Sequence, residues 1–285
     1  MSSGITLIEC PRDAMQGWKH FIPTSEKVKY LNQLLRVGFD VLDFGSFVSP
    51  KAIPQMADTK EVLPQLDLSN SNTKLLAIIA NTRGAEDAVA YEQISYLGFP
   101  FSISETFQQR NTNKSIAESL VQVEEIQNLC IKNGKEMVVY ISMGFGNPYG
   151  DEYSVDVAIK WVGRLAELGI KTVAMSDTVG VATPPTIEYI FNNLSKEFKD
   201  LSIGAHFHST YDTWEEKIQS AYDSGCMRFD SAMKGIGGCP MAKDELVGNI
   251  ATENLLKWCD KKEISTKINK EAFEEAWLMA AGIFV

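Results

Sequence analysis

One pattern recurs along the sequence: a helical segment runs into a glycine and then directly into a short apolar stretch rich in β-forming residues. Gly38, Gly134, Gly169 and Gly225 follow these helical segments, at the position where glycine ends many helices by adopting a left-handed conformation. The clearest stretches are RVGFDVLDFG, KNGKEMVVYIS, ELGIKTVAMSD and DSGCMRFDSAM. The pattern predicts a fold in which helices and strands alternate along the chain.

Eight candidate strands can be counted, and a helical pattern follows nearly every one. They lie near residues 5–10, 39–45, 74–80, 97–103, 136–142, 171–176, 202–208 and 227–232. Eight such units in sequence predict an α/β fold of the (β/α)8 TIM barrel type. The competing fold, an open doubly wound sheet, is expected to carry a glycine-rich phosphate loop after its first strand, and LIECPRDAMQG contains none.

The extent of the barrel follows from the absence of any linker or low-complexity tract between these units. We therefore expect a single catalytic domain over residues 1–285, with the barrel at about 5–263 and a helical extension at about 267–285. The extension, EAFEEAWLMAAGIFV, has two roles open to it. It either caps the barrel or packs against a second copy of the chain in a homodimer.

Charge and cysteine usage limit the kinds of partner and compartment. The chain carries 37 acidic against 27 basic residues, a net charge of −10, which disfavours nucleic acids and anionic membranes as partners. A small-molecule substrate is the expectation that remains. The five cysteines are scattered and form no CxxC pair, and the first residues, MSSGITLIEC, lack the pattern of a secretory signal. Both features predict a cytoplasmic protein.

Polar residues mark the carboxyl ends of the predicted strands, where barrels of this kind carry their active sites. These residues are Arg12 and Asp13 after strand one, Asp43 after strand two, Ser142 after strand five, Asp177 after strand six, and His206 and His208 at the end of strand seven. We expect the four residues Asp13, Asp177, His206 and His208 to share one mouth of the barrel.

The two histidines of AHFHSTYD are two residues apart, so that both imidazoles point to the same face of a strand. Two imidazoles beside a carboxylate offer the mixed nitrogen and oxygen donors of a metal site. Other interpretations stay open, because a histidine at a strand end is often structural and Asp13 or Asp177 alone could cap a helix. Arg12 alone could form a surface ion pair. The residues by themselves predict a metal site in a barrel.

A glycine-rich stretch, KGIGGCPMAKDELVGN, follows strand eight. Gly235, Gly237 and Gly238 predict a mobile loop, and Cys239 inside it is expected to be exposed and able to act as a proton donor or nucleophile. A tight turn with an incidental cysteine is the alternative. Asn249 follows closely enough to reach the mouth of the barrel.

Five stretches together resemble hydroxymethylglutaryl-CoA lyase, one of the barrel metal-dependent lyases and aldolases that break or form carbon–carbon bonds. They are PRDAMQ, SFVSPKAIPQM, SDTVGVATP, AHFHSTYD and GGCPMAKDELVGNIATENL, and the resemblance runs from about residue 5 to residue 260. It implies cleavage of an acyl-CoA substrate to acetyl-CoA and acetoacetate.

The resemblance also implies roles for individual residues. Asp13, His206, His208 and Asn249 would bind a divalent metal, Mg²⁺ or Mn²⁺. Arg12 would hold the thioester oxygen, Asp177 would be an acid or base linked to the metal, and Cys239 would protonate the carbanion that forms when the bond breaks. Asp43 occupies the position of a family glutamate. Gln16 and Ser142 are expected to contact the substrate.

Several positions depart from the family pattern. The family's RDGLQN reads RDAMQG, its HDTYG reads HSTYD, and its CPY reads NPY at Asn147. Asp43 is one methylene shorter than glutamate, so we expect its contact with Arg12 to need a backbone shift or a water. The metal ligands and Cys239 are retained while their neighbours differ, which predicts the reaction class better than the acyl group.

Two alternatives remain at this level. A related synthase or aldolase acting on another acyl-CoA or a 2-oxo acid would share the HxH site, but such synthases generally carry a further carboxyl-terminal domain and lack GGCP, whereas this chain has about 25 residues after its last unit. A non-catalytic barrel that binds an acyl-CoA is the second alternative, and it would not need Cys239.

Overall fold

The computed structural model describes residues 4–238 and 247–285. Eight parallel strands form a barrel that closes because β1 pairs with both β2 and β8, and β6 pairs with β7. The strands are β1 (Thr6–Glu9), β2 (Val41–Ser46), β3 (Lys74–Ile78), β4 (Ile94–Ser102), β5 (Glu136–Ser142), β6 (Thr172–Asp177), β7 (Ser202–Ser209) and β8 (Arg228–Ser231). The predicted (β/α)8 barrel is confirmed.

Helices surround the barrel. They are α1 (Pro11–Gln16), α2 (Thr24–Val37), α3 (Thr59–Val62), α4 (Thr82–Val89), α5 (Glu105–Thr112), α6 (Ile116–Lys132), α7 (Val155–Glu167), α8 (Pro184–Glu197), α9 (Trp214–Asp223), α10 (Thr252–Lys261) and α11 (Lys270–Ile283). Gly38, Gly134, Gly169 and Gly225 all have positive φ angles, between 64° and 93°. The glycines therefore end the preceding helices as their positions predicted.

The start of β4 and an additional strand depart most from the sequence prediction, and the other strand boundaries differ from it by at most two residues. Strand β4 begins at Ile94, three residues before the predicted start, because Ile94 is buried and pairs with Leu75 of β3. A ninth strand, β9 (Gly248–Asn249), pairs antiparallel with the end of β7. Two residues carry no periodic pattern, so only their pairing partner reveals this strand.

Helix α11 packs against α2 on the outside of the barrel. The Gln33 side chain donates a hydrogen bond of 2.9 Å to the Ala272 carbonyl, and the rings of Trp18 and Phe284 meet edge to face with centroids 5.3 Å apart. Such aromatic pairs add to the stability that burial alone supplies. Throughout the described part of the chain, no helix is both long and apolar enough to span a membrane.

Strand β7 shows how the two faces of the barrel wall are divided. The ring of Phe207 packs against Phe191 of α8, with centroids 6.3 Å apart, so this residue points outward to the helix layer. Side chains alternate along a strand, and His206 and His208 therefore point into the barrel. Their position near the carboxyl end of β7 places both imidazoles at the barrel mouth.

Candidate active site

Three side chains converge at the carboxyl end of the barrel. One ligand atom each from Asp13, His206 and His208 lies within 4.8 Å of the others. Asp13 is in the first turn of α1, directly after β1, and both histidines are on β7. The structure thus brings together three of the four residues expected to bind a metal. That they do bind one stays a prediction.

The imidazole of His208 has one nitrogen that is hydrogen-bonded and one that has no partner among the described residues. Its Nδ1 lies 3.0 Å from the carbonyl oxygen of Thr178, which can only accept, so Nδ1 carries the proton and Nε2 has a free lone pair. Nε2 is buried and has no hydrogen-bond partner within residues 4–238 and 247–285. Burial, and then the charge of His206, lower the pKa of His208 to about 4. A neutral imidazole with an unpaired buried nitrogen fits a divalent cation.

His206 is oriented by a carboxylate that the sequence prediction missed. Asp230 on β8 lies 3.1 Å from Nδ1 of His206 and is only 3 % exposed. Burial lowers the pKa of His206, but the hydrogen bond and charge of Asp230 outweigh it, so the pKa is raised overall. Such a carboxylate directs the other nitrogen toward a metal. The position of Asp230 near the end of β8 was the signal that could have revealed it. The sequence prediction considered residues at or after the strand ends, and Asp230 comes one residue before the end of β8.

Asn249 reaches the site through β9. The pairing of β9 with β7 sets Asn249 opposite His208, and the Asn249 amide donates a hydrogen bond of 2.7 Å to Asp13. Gly237, with φ of 110°, passes so close that a Cβ there would lie 2.9 Å from a carboxylate oxygen of Asp13. Only glycine fits at this point. Gly237 is therefore packed directly on two of the residues expected to bind a metal, Asp13 and Asn249.

Asp13 is ionised in these surroundings. Burial raises the pKa of its carboxyl, but the charge of Arg12 and the two histidines lower it, and the net shift is downward. Gln16, one turn later on α1, donates a hydrogen bond of 2.7 Å to Oδ1 of Asp13, whereas Asn249 donates to Oδ2. A charged carboxylate beside two imidazoles completes a donor set suited to a divalent ion.

Arg12 is held by two carboxylates. Its Nε lies 3.0 Å and its Nη2 lies 2.5 Å from one oxygen of Asp43, and its Nη1 lies 3.0 Å from Asp13. The contact with Asp43 is direct, so the water expected between the two side chains is not needed, while the other expectation, a backbone shift, stays a prediction. The sequence could not reveal this, because the gap depends on the spacing of α1 and β2. Burial lowers the pKa of Arg12, but the charges of Asp43 and Asp13 raise it by more, so the net shift is upward and the guanidinium stays charged.

A cleft opens above these groups. The predicted site residues that line it are Arg12, Asp13, Gln16, Ser142, His206 and His208. Apolar side chains, among them Ile53, Pro100 and Phe107, form part of its wall. Asp43 is buried behind Arg12 and does not reach the cleft. The cleft can thus accept a ligand that is polar at one end and apolar at the other.

Asp177 does not point into the mouth, contrary to the sequence prediction. It pairs in register with Phe207 and shares its outward orientation, while the preceding Ser176 pairs with His206 and lines the cleft. The Asp177 carboxylate binds Lys217 of α9 at 2.7 Å. Both faces of β6 are buried, so no polar alternation marked which residues face inward. A role as an acid or base at the metal is therefore not assigned to Asp177.

The cysteines divide into two groups. Cys10, Cys130, Cys226 and Cys259 are free and buried, and burial raises the pKa of each thiol. These four are unreactive at neutral pH. Cys239, the predicted proton donor, lies outside the described residues.

Comparison with known proteins gives consistent matches over nearly the whole chain. The HMGL-like family model matches residues 6–278. The hydroxymethylglutaryl-CoA lyase YngG of Bacillus subtilis is 33 % identical over 261 residues, which cover 92 % of this chain and 86 % of that protein. A Pseudomonas aeruginosa 3-hydroxy-3-isohexenylglutaryl-CoA/hydroxymethylglutaryl-CoA lyase is 33 % identical over 275 residues, with 95 % and 90 % covered.

Solved structures agree with the sequence matches. An HMG-CoA lyase from Acinetobacter baumannii, in complex with coenzyme A and 3-methylmalate, superimposes with a TM-score of 0.91 at 29 % identity and covers 100 % of this chain and 93 % of its own. The Bacillus subtilis HMG-CoA lyase gives a TM-score of 0.91 at 31 % identity, with 98 % and 94 % covered.

Proposed function

The chain belongs to the HMGL-like family, and we propose that it cleaves 3-hydroxy-3-methylglutaryl-CoA, or a closely related thioester, to acetyl-CoA and a keto acid, which is acetoacetate for 3-hydroxy-3-methylglutaryl-CoA. It is a carbon–carbon lyase of a family that depends on a divalent metal. The observation that carries the proposal is the convergence of Asp13, His206 and His208 beside the charged Arg12 in one cleft.

We propose that Asp13, His206, His208 and the side-chain oxygen of Asn249 hold the metal, and that it is Mg²⁺ or Mn²⁺. Carboxylate and amide oxygens with two imidazoles suit these ions. When bound, the ion would supply a lowered pKa for the tertiary hydroxyl of the substrate and a fixed orientation for the groups it chelates. Asp230 and Thr178 support this chemistry by holding each imidazole in the tautomer that leaves one nitrogen available.

Arg12 is proposed to bind the thioester oxygen and stabilise the enolate that forms there. Of its five N–H groups, the contacts with Asp43 and Asp13 occupy three, one on each nitrogen, which leaves one on Nη1 and one on Nη2. Asp43 fixes the plane of the guanidinium, so the remaining donors are oriented before the substrate arrives. Preorganised donors of this kind act most strongly where charge develops in the transition state.

Cys239 is proposed to protonate the carbanion after the bond breaks, on the basis of the resemblance at GGCP. Replacing it by serine keeps the shape of the side chain but substitutes a much weaker acid, since a thiol has a pKa of about 8.5. We expect Cys239→Ser to lower kcat about a hundredfold or more, the usual scale for loss of a general acid. Binding of Mn²⁺ should be unchanged. The matched control is Cys130→Ser on α6, and wild-type turnover by Cys239→Ser would reject the role.

The experiment that tests the function is an assay of the purified protein with Mg²⁺ or Mn²⁺ and a panel of 3-hydroxyacyl-CoA thioesters. We expect release of acetyl-CoA that depends on the metal, with the 3-hydroxy-3-methylglutaryl thioester among the substrates. The panel also identifies the acyl group. Absence of acetyl-CoA with every thioester would contradict the proposal.

We further propose a cytoplasmic location, because the four described cysteines are unpaired.

A further inference from the structure

A buried ion pair lies directly behind the histidine ligands, on the outer side of the barrel wall. Lys217 of α9 and Asp177 of β6 are each only 1 % exposed, and the ammonium nitrogen lies 2.7 Å from a carboxylate oxygen. Removing two charges from water is costly, so a pair of this kind is weak evidence for a gain in stability. Its position relative to His208 suggests a different role.

The ammonium group of Lys217 makes three hydrogen bonds, as many as it has protons. Besides Asp177 it donates to the carbonyl oxygen of Gly180 at 3.0 Å and to that of His208 at 2.9 Å. Asp177 in turn accepts from the backbone N–H of Ala182 at 3.1 Å. One side chain on α9 therefore joins the loop after β6 to the carboxyl end of β7.

The contacts of Lys217 lie on either side of the hydrogen bond between Nδ1 of His208 and the Thr178 carbonyl, which selects the tautomer of His208. The acceptor of the His208 Nδ1 proton is the carbonyl of Thr178, which lies between Asp177 and Gly180 in the chain. Lys217 holds the residues on both sides of Thr178 and also holds His208 through its own carbonyl. Lys217 therefore contacts, from outside the barrel, both chain segments that this hydrogen bond joins.

We propose that Lys217 is a positioning residue: it fixes His208 against the Thr178 carbonyl, so that Nε2 is presented to the metal. The inference deepens the proposed function and rests on His208 being a ligand there. Lys217 itself is not among the residues that line the cleft. Loss of its three contacts releases the loop after β6 and lets the imidazole adopt its other tautomer.

The test uses a variant that avoids an unpaired buried charge. Lys217→Met alone leaves Asp177 without its counter-charge and can fail to fold, so the main variant is the double replacement Lys217→Met with Asp177→Asn. The matched control is Lys261→Met in α10, which removes an exposed lysine paired with Glu215, also of α9, at 2.7 Å. Thermal denaturation of each variant tests whether the protein is folded before the other measurements are made.

Nitrogen-15 NMR of the metal-free proteins then reports the imidazoles directly, because the chain has only three histidines. In the wild type and in Lys261→Met we expect His208 in the Nδ1–H form alone. The double variant should show both tautomers and bind Mn²⁺ about tenfold to a hundredfold more weakly, the scale on which partners of metal ligands act.

The outcomes separate the two proposals. A double variant with the wild-type tautomer and wild-type Mn²⁺ affinity would show that Lys217 serves folding only, and would overturn the inference. If the wild-type protein binds neither Mg²⁺ nor Mn²⁺, the proposed function fails. The tautomer measurement needs no metal, so it still decides whether Lys217 positions His208.

Discussion

His206→Ala and Asp13→Ala are each expected to weaken Mn²⁺ binding by more than about a hundredfold, because losing even a partner of a metal ligand costs about tenfold to a hundredfold. Each replacement removes one donor from a group whose ligand atoms lie within 4.8 Å of one another, and water must complete the site. Metal-dependent cleavage should be lost with the metal. Isothermal titration with Mn²⁺ measures the affinity, and the acetyl-CoA assay measures the activity.

The chain supplies a matched control for the histidine variant. His20, the third histidine, is exposed and lies before α2, and its described hydrogen bond uses only the backbone carbonyl. His20→Ala should therefore bind Mn²⁺ as the wild type does. At the other proposed ligand, Asp13→Asn removes the charge of the carboxylate and keeps nearly the same side-chain shape, so it distinguishes the effect of charge from that of shape. Unchanged affinity in both His206→Ala and Asp13→Ala would reject the assigned metal site.

Arg12→Gln is expected to lower kcat about a hundredfold to a thousandfold, the range found when a donor to a developing oxyanion is lost. The glutamine amide is neutral and shorter, so it cannot place a charged donor at the thioester oxygen. The effect should appear in kcat more than in KM, because the interaction strengthens as charge develops. Steady-state kinetics at saturating metal measures both constants.

Stability must be controlled in this variant, since Asp43 is fully buried and Arg12 is its partner. Breaking a buried pair from one side costs about 3–5 kcal/mol of unfolding free energy. The double variant Arg12→Gln with Asp43→Asn removes both charges and should recover part of that loss, as thermal denaturation will show, without recovering turnover. A folded double variant with wild-type kcat would exclude Arg12 from the chemistry.

The barrel could be predicted because its signals are local. Four helices, α2, α6, α7 and α9, are followed by a glycine whose positive φ is a property of a few neighbouring residues, and eight repeats of one unit leave few other architectures. The start of β4 was predicted less well. Ile94 joins the strand only through its pairing with Leu75, and that contact is far away in sequence.

The candidate site was predictable in part. The two-residue spacing of His206 and His208 dictates a common face, and their place at a strand end dictates a position at the mouth. Cys239 was singled out by the sequence alone and stays a prediction outside the described residues. Asp230 was missed because its role depends on a hydrogen bond between β7 and β8.

What the sequence by itself determined is the set of eight barrel strands and their order along the chain, because these follow from neighbouring residues. Only the tertiary structure decided which residues of β6 face the cleft, since both faces of that strand are buried and periodicity does not say which face is inward. That choice sends Asp177 outward to Lys217 and Ser176 inward. The direct contact of Asp43 with Arg12, and the pairing of Asn249 with His208, likewise depend on distances between elements far apart in the chain.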